Sequence, residues 1–312
     1  MEYKDSVIVS DQPVISAVPR SGLLWGFLGV LSFSFTVPFT RVAVETLDPL
    51  FVGAGRAVVS AALAASALIA TRQHLPRDGQ WFRLAIVAGG VVAGFPLLTS
   101  FAMTSTAASH GAVVIALLPA TTAVMAVLRG RERPVKSFWL LTVLGALVAV
   151  TFAAIQAGGF GSLTSTDLLL FGAVIAAAVG YAEGGLMARE IGAWQTISWA
   201  LVLASPVMLA LTIYSMNQHP LNGGPAQWAS FAYLGIVSMY LGFFAWYRGL
   251  GIGPMAQVSQ IQLTQPVMSL LWAVLLLGEH LTLATLLGGI GVSVFAGLAV
   301  RVKQRSPIRL GR

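Results

Sequence analysis

Long apolar runs alternate with short polar links from Gly22 to Val300. Each run can cross a bilayer as a helix, because roughly 20 apolar residues suffice. The runs are continuous rather than alternating residue by residue, so they predict helices and not barrel strands. Ten spans are expected, near Gly22–Val42, Pro49–Ala70, Phe82–Met103, Ala107–Leu128, Val135–Ile155, Asp167–Ala188, Trp194–Tyr214, Ala226–Tyr247, Pro254–Leu277 and Leu281–Val300. The expected organisation is a cytoplasmic tail (1–20), five helices (21–155), a Gly/Ser/Thr-rich link (156–166), five more helices (167–300) and a basic cytoplasmic tail (301–312). Residues 1–20 are polar and mixed in charge, so no cleavable signal is expected.

One run breaks the apolar rule. Pro254–Glu279 carries Gln257, Ser259, Gln260, Gln262, Thr264 and Gln265 in its first half. Hydrocarbon offers no hydrogen-bond partner to an amide, so these groups must face protein or a wet cavity. At ~100° per residue, Gln257, Gln260, Thr264 and Met268 form one stripe, and Gln262 points away from it.

The same stretch occurs earlier at an offset of 147 residues. Pro119 maps to Pro266, Glu132 to Glu279, Trp81 to Trp228, and Ala126-Val127-Leu128 to Ala273-Val274-Leu275. Overall identity at this offset is low, but scarce residues coincide at a single shift, which predicts two copies of one half. Five spans is an odd number, so the second copy would enter the membrane from the opposite side as an inverted repeat. The expected fold class is an all-α membrane protein of ten transmembrane helices in two inverted five-helix repeats.

Composition sharpens this picture. Hydrophobic residues make up 57% and charged residues 9%, with mean hydropathy +0.83. Soluble domains carry ~25% charged residues, so nearly all of this chain belongs in a membrane. The net charge of +7 does not point to nucleic acid, because the cations sit in the links between spans. With the N-terminus inside, every lysine and arginine except Arg41 and Arg56 falls on the cytoplasmic side. Cysteine is absent, which excludes disulfides, thiolate nucleophiles and cysteine metal sites.

Several residues are candidates for chemistry. Pro119 and Pro266 lie mid-span, where a missing N–H and a steric clash loosen the helix; they are paired hinges or static kinks. His110 and Gln257 are repeat partners that would line one cavity from opposite sides of the midplane. His110 is either a solute or proton-coupling group or a buried donor to a carbonyl. Glu183 either reaches the interface or, if buried, carries a proton. Arg56 lies about two turns into the second span and is expected to anchor it, paired with Glu45 or Asp48. Tyr240, Phe243, Phe244 and Tyr247 share one helical face by spacing. They form an aromatic wall, or else Trp246 and Tyr247 belong to an interfacial belt. Glycine pairs such as Gly22/Gly26 and Gly90/Gly94, and the run Gly249, Gly251 and Gly253, suit close helix packing.

Two five-span halves, the span-end Gly130–Glu132 and Gly278–Glu279, the Trp25-Gly26 start, the mid-span prolines and the position of Arg56 resemble the EamA-type exporters of the drug/metabolite transporter superfamily. The resemblance covers about residues 22–300, and Arg131 departs from it by separating the first glycine from its glutamate. It implies a central cavity lined by helices 1–4 and 6–9, with helices 5 and 10 behind. It also implies export of amino acids or related metabolites across the inner membrane. Carried over, the cavity residues are His110 and Thr121 on span four and Gln257, Gln260 and Thr264 on span nine.

The expected function is therefore secondary transport of a small neutral or zwitterionic metabolite, an aromatic or hydrophobic amino acid preferred, by alternating access. A passive channel or facilitator remains the alternative. No HExxH, GxSxG or buried acid cluster is present, so an enzyme is not expected, nor a metal or cofactor. The expected partners are a small-molecule solute and the lipid bilayer, without nucleic acid; a homodimer is left open.

Overall fold

The computed structural model describes residues 19–106, 108–130, 132, 134–156 and 164–277, with isolated positions between 287 and 302. Most of the expected tenth span, most of the connecting link and nearly all of both tails lie outside the described residues. In chain order the helices are α1 (Arg20–Ala43), α2 (Pro49–Ala70), α3 (Asp78–Ser105), α4 (Ala108–Ile115), α5 (Leu118–Gly130), α6 (Lys136–Gln156), α7 (Ser165–Ile191), α8 (Ala193–Gln218), α9 (Pro225–Ile252), α10 (Met255–Ser259) and α11 (Gln265–Leu277). Among the described residues, α1, α2, α3, α7, α8 and α9 are each long and apolar enough to span a membrane.

Local chemistry sets several boundaries. The Asp48 carboxylate accepts from the Phe51 N–H at 3.1 Å, and Pro49 supplies a first helical position that needs no donor, so α2 starts there. Thr164 and Asp167 cap α7 reciprocally. The expected spans four and nine are not continuous helices. A two-residue turn at 116–117 separates α4 from α5. A 3-10 segment, Gln260–Thr264, separates α10 from α11. In both places a proline follows, Pro119 or Pro266. Proline has no N–H to give the carbonyl four residues back, and its ring crowds that carbonyl. The α-ladder therefore fails at Ile115 and at Gln262.

The same duplication appears in α3 and α9. Each contains a widened π segment, Ala88–Gly94 and Leu234–Leu241. Shifted by 147 residues, the first falls on residues 235–241 of the second. Two kinds of helix irregularity thus recur at one offset, which ties the repeat to backbone geometry.

The halves interlock. α1 packs along α9, α7 packs along α3, and α2 packs on α8, so each copy's first helix meets the other copy's third. Glycine permits the closest approaches. A Cβ on Gly249 would lie 2.6 Å from the Gly26 nitrogen, and one on Gly90 would lie 3.0 Å from the Gly180 Cα. Both crossings join helices of different halves, as small-residue packing in a membrane requires. Apolar side chains such as Ile175, Leu209 and Leu241 stay exposed on the outside, while serine, threonine and glutamine side chains are buried inside. This is the inverse of a soluble core and suits a lipid surround.

One expectation is corrected here. Trp246 and Tyr247 are fully buried, not part of an interfacial belt. Gly29 leaves room for Trp246 beside α1, and the Tyr247 hydroxyl donates to the Gly180 carbonyl at 3.1 Å.

Candidate functional site

Ile115, Leu118 and Pro119 meet Gln262, Gln265 and Pro266 around a narrow cavity of about 10 Å3, room for about one water. Each residue of the first set is the partner, 147 positions earlier, of a residue in the second. Ser269, also on the wall, is the counterpart of Thr122. The cavity thus sits where the two copies meet, at the two backbone breaks.

The amides are not arranged as a regular helix would place them. The 3-10 segment turns ~120° per residue rather than ~100°, so the phase shifts across Gln260–Thr264. Gln262, expected to point away, reaches the cavity together with Gln265. Both amide atoms of Gln262 lack a hydrogen bond; its amide approaches the Tyr181 hydroxyl without closing a bond of ordinary geometry. Gln260 is buried, donates weakly to the Ala256 carbonyl at 3.3 Å, and leaves its Oε1 without a partner. Gln257 donates to the Val302 carbonyl. Thr264 and Thr121 spend their hydroxyls on the Ile261 and Leu117 carbonyls of their own helices. The His110 side chain lies outside the described residues.

A second cavity, also narrow at about 20 Å3, adjoins the first at Gln265. Its wall includes Phe33, Tyr181, Phe243, Ser238 and Arg56. Phe33 stacks on Tyr181 at 6.2 Å and lies 4.9 Å from Phe243. The π segments bring Val91 and Ser238, another pair at offset 147, to this wall. The aromatic face expected on the eighth span is divided. Phe243 reaches the cavity, Tyr240 meets the Ser198 hydroxyl at 3.2 Å, and Phe244 turns to Trp25. Tyr240 lies within the π segment, so spacing counted for an α-helix does not carry through it.

Arg56 does not pair with Glu45 or Asp48, contrary to expectation. Asp48 spends its carboxylate on the α2 N-terminus and on Ser215, and Glu45 accepts from Gln227. Arg56 lies about two turns deeper, only 1% exposed, with Nε and Nη2 making no hydrogen bond. An arginine at this depth costs about 2.5–3.5 kcal/mol on insertion scales.

Glu183 is buried rather than interfacial. Arg83 and Arg129 both bind it, and Arg83 also reaches Glu190, so α3, α5 and α7 are tied at one end. Nearby, the Glu132 carboxylate accepts from the Met255 and Ala256 N–H groups at 2.8 and 2.9 Å. Arg189 donates to the Leu250 and Gly253 carbonyls where α9 ends, 3.9 Å from Glu132. These links join both halves at the arginine-rich end. Their partners are far apart in sequence, so composition carried no signal for them.

Residues 20–154 and again 164–301 match the EamA-like transporter family. The chain is 42% identical over 282 residues to the "Uncharacterized transporter YdeK" of Bacillus subtilis (strain 168), covering 90% of this chain and 97% of that one. It is 27% identical over 285 residues to an "Uncharacterized transporter" of Archaeoglobus fulgidus, covering 90% and 99%. A solved crystal structure shares the fold with a TM-score of 0.72 at 16% identity, over 91% of this chain and 97% of that one. With the family matched once in each half and the apolar helices around it, the chain belongs to the EamA-like transporter family and is a multi-pass membrane transporter, not an enzyme.

Proposed function

We propose that this transporter exports a small amino-acid-like metabolite, neutral or zwitterionic overall, across a bacterial cytoplasmic membrane by alternating access. Ten helices in two inverted repeats rock about the cavity at the proline breaks, with both termini cytoplasmic. Discontinuous helices at a repeat interface supply unpaired backbone and amide groups to a solute at mid-membrane depth. The single observation carrying this reading is the convergence of three offset-147 pairs on one cavity. The excess of arginine at the end holding Arg83, Arg129 and Arg189 supports placing that end inside. In this reading the ion pairs of Glu183 and Glu132 close the cytoplasmic side, and outward release requires them to stay closed. Proton coupling through Glu183 or His110 is part of the proposal.

The test is a metabolite-release screen in cells overproducing the chain, with and without collapse of the proton gradient. Saturable release of a few amino-acid-like solutes is expected, falling when the gradient is removed. Release that never saturates would favour a channel or facilitator, and an unchanged extracellular metabolite set would overturn the reading.

A further inference from the structure

The cavity beside Phe33 and Tyr181 contains a cation with no acid paired to it among the described residues. Arg56 is buried, lines that cavity and has no ion pair among the described residues. Its two unbonded groups are Nε and Nη2, which lie on one edge of the guanidinium and form its side-on fork. Two parallel N–H donors of this kind match the two oxygens of a carboxylate. Charges at this depth pair with one another or mark a solute pathway. Among the described residues, Asp48 and Glu45, the acids expected to pair with it, are engaged by the α2 N-terminus, Ser215 and Gln227, and Glu183 is held by two arginines.

We infer that Arg56 is the docking group for the carboxylate of the transported solute, with the solute's body against Phe33, Tyr181 and Phe243. This rests on the transport reading above and narrows it to monocarboxylates with an apolar or aromatic body. A single cation suits a monoanionic group better than a doubly charged phosphate, which recruits several donors. The remaining polar groups on the wall are neutral. Thr36 and Ser238 share a hydrogen bond at 2.7 Å, and Gln265 adds an amide. A solute amine would meet only these neutral oxygens. Its contribution is therefore secondary to that of the carboxylate.

Alanine, leucine or methionine at the position of Arg56 would leave the helix intact and remove the cost of a buried charge. Among the described residues no structural partner accounts for this buried charge, whereas a visiting anion does.

The experiment uses the full-length protein in proteoliposomes, read by counterflow, and in detergent, read by thermal unfolding. The probes are L-phenylalanine, 3-phenylpropionate, 3-phenylpropionamide and phenethylamine, with the corresponding branched-chain series. Carboxylates of either series should raise the unfolding midpoint and drive counterflow, while the amide and the amine should do neither. Comparison of L-phenylalanine with 3-phenylpropionate reports whether the solute is a zwitterion or a simple anion; binding of either supports the anchor, and binding of the simple anion alone would overturn the neutral or zwitterionic solute proposed above. Arg56→Lys keeps the charge without the fork and should weaken carboxylate binding at least about tenfold. Arg56→Gln should abolish carboxylate binding and leave the protein at least as thermostable as the parent. Equal protection of the parent by the amide and the carboxylate would overturn the anchor even if the variants failed to fold. Counterflow of an amine or amide alone would also overturn the anchor while leaving transport standing, and no counterflow with any probe would count against both.

Discussion

Pro119 and Pro266 border one cavity, and each ends a break in its own helix. The pairing places two points of backbone weakness at the meeting of the two copies. Replacing either proline with alanine restores a backbone donor toward the carbonyl of Ile115 or Gln262. Pro119→Ala and Pro266→Ala should each slow transport about tenfold, a barrier change of roughly 1.4 kcal/mol. Thermal midpoints should stay level or rise. Unchanged transport in the double variant would assign the prolines a static role.

Gln262 holds a buried amide with no closed hydrogen bond. Replacing it with a similar-sized apolar side chain removes that desolvation cost. Gln262→Leu should stabilise the protein by about 1–3 kcal/mol, measured by unfolding in detergent, and should sharply reduce transport. A variant that is less stable than the parent would mean the amide is satisfied, by the Tyr181 hydroxyl or by ordered water at the site.

Glu183 is shared by two arginines that are partly exposed, 25% for Arg83 and 46% for Arg129. Their exposure lets water compensate if the acid is lost, so the cost falls below that of a fully buried pair. Glu183→Gln should destabilise the protein by about 2 kcal/mol. A double-mutant cycle with Arg129→Gln should show that the two losses are coupled. Additive losses would mean the pair contributes no joint stability.

Glu132 lies between α5 and α6. Burial pushes its carboxyl above the ordinary value of 4.5, and the N–H groups of Ala256 and Met255, with Arg189, offset only part of that rise. The folded state therefore holds this proton more tightly than the unfolded chain. The associated stability is fully present below about pH 4.5 and is lost as pH rises through the folded value. Glu132→Gln should flatten the pH dependence of the melting midpoint across that window. It also loses one of two backbone hydrogen bonds, at about 1 kcal/mol. A variant with the parent's slope would assign the titration to another group.

Much of this architecture was legible from the run of residues. The offset of 147, read from Trp81, Pro119 and Glu132, also relates the π segments and the cavity walls. What was not legible follows from helix phase. Nothing in Ala88–Gly94 or Leu234–Leu241 marks a widened turn, and the 3-10 turn at Gln260 redirects Gln262 inward. Long-range partners were also hidden. Glu183 finds Arg129 from 54 residues away and Arg83 from 100, and the expected Arg56 partners proved to be committed elsewhere, Asp48 to the α2 N-terminus and Glu45 to Gln227.

The central claim is a water-reachable solute site between the two copies at the proline breaks. The chain has no cysteine, so single cysteines report without background. Ile115→Cys and Ser269→Cys should react with a small membrane-impermeant thiol reagent in oriented vesicles, and transported solute should slow the reaction. Ile175→Cys and Leu209→Cys, on the exposed apolar surface, should stay unreactive under the same conditions. Cavity positions that react no faster than these lipid-facing positions, with or without solute, would contradict the account.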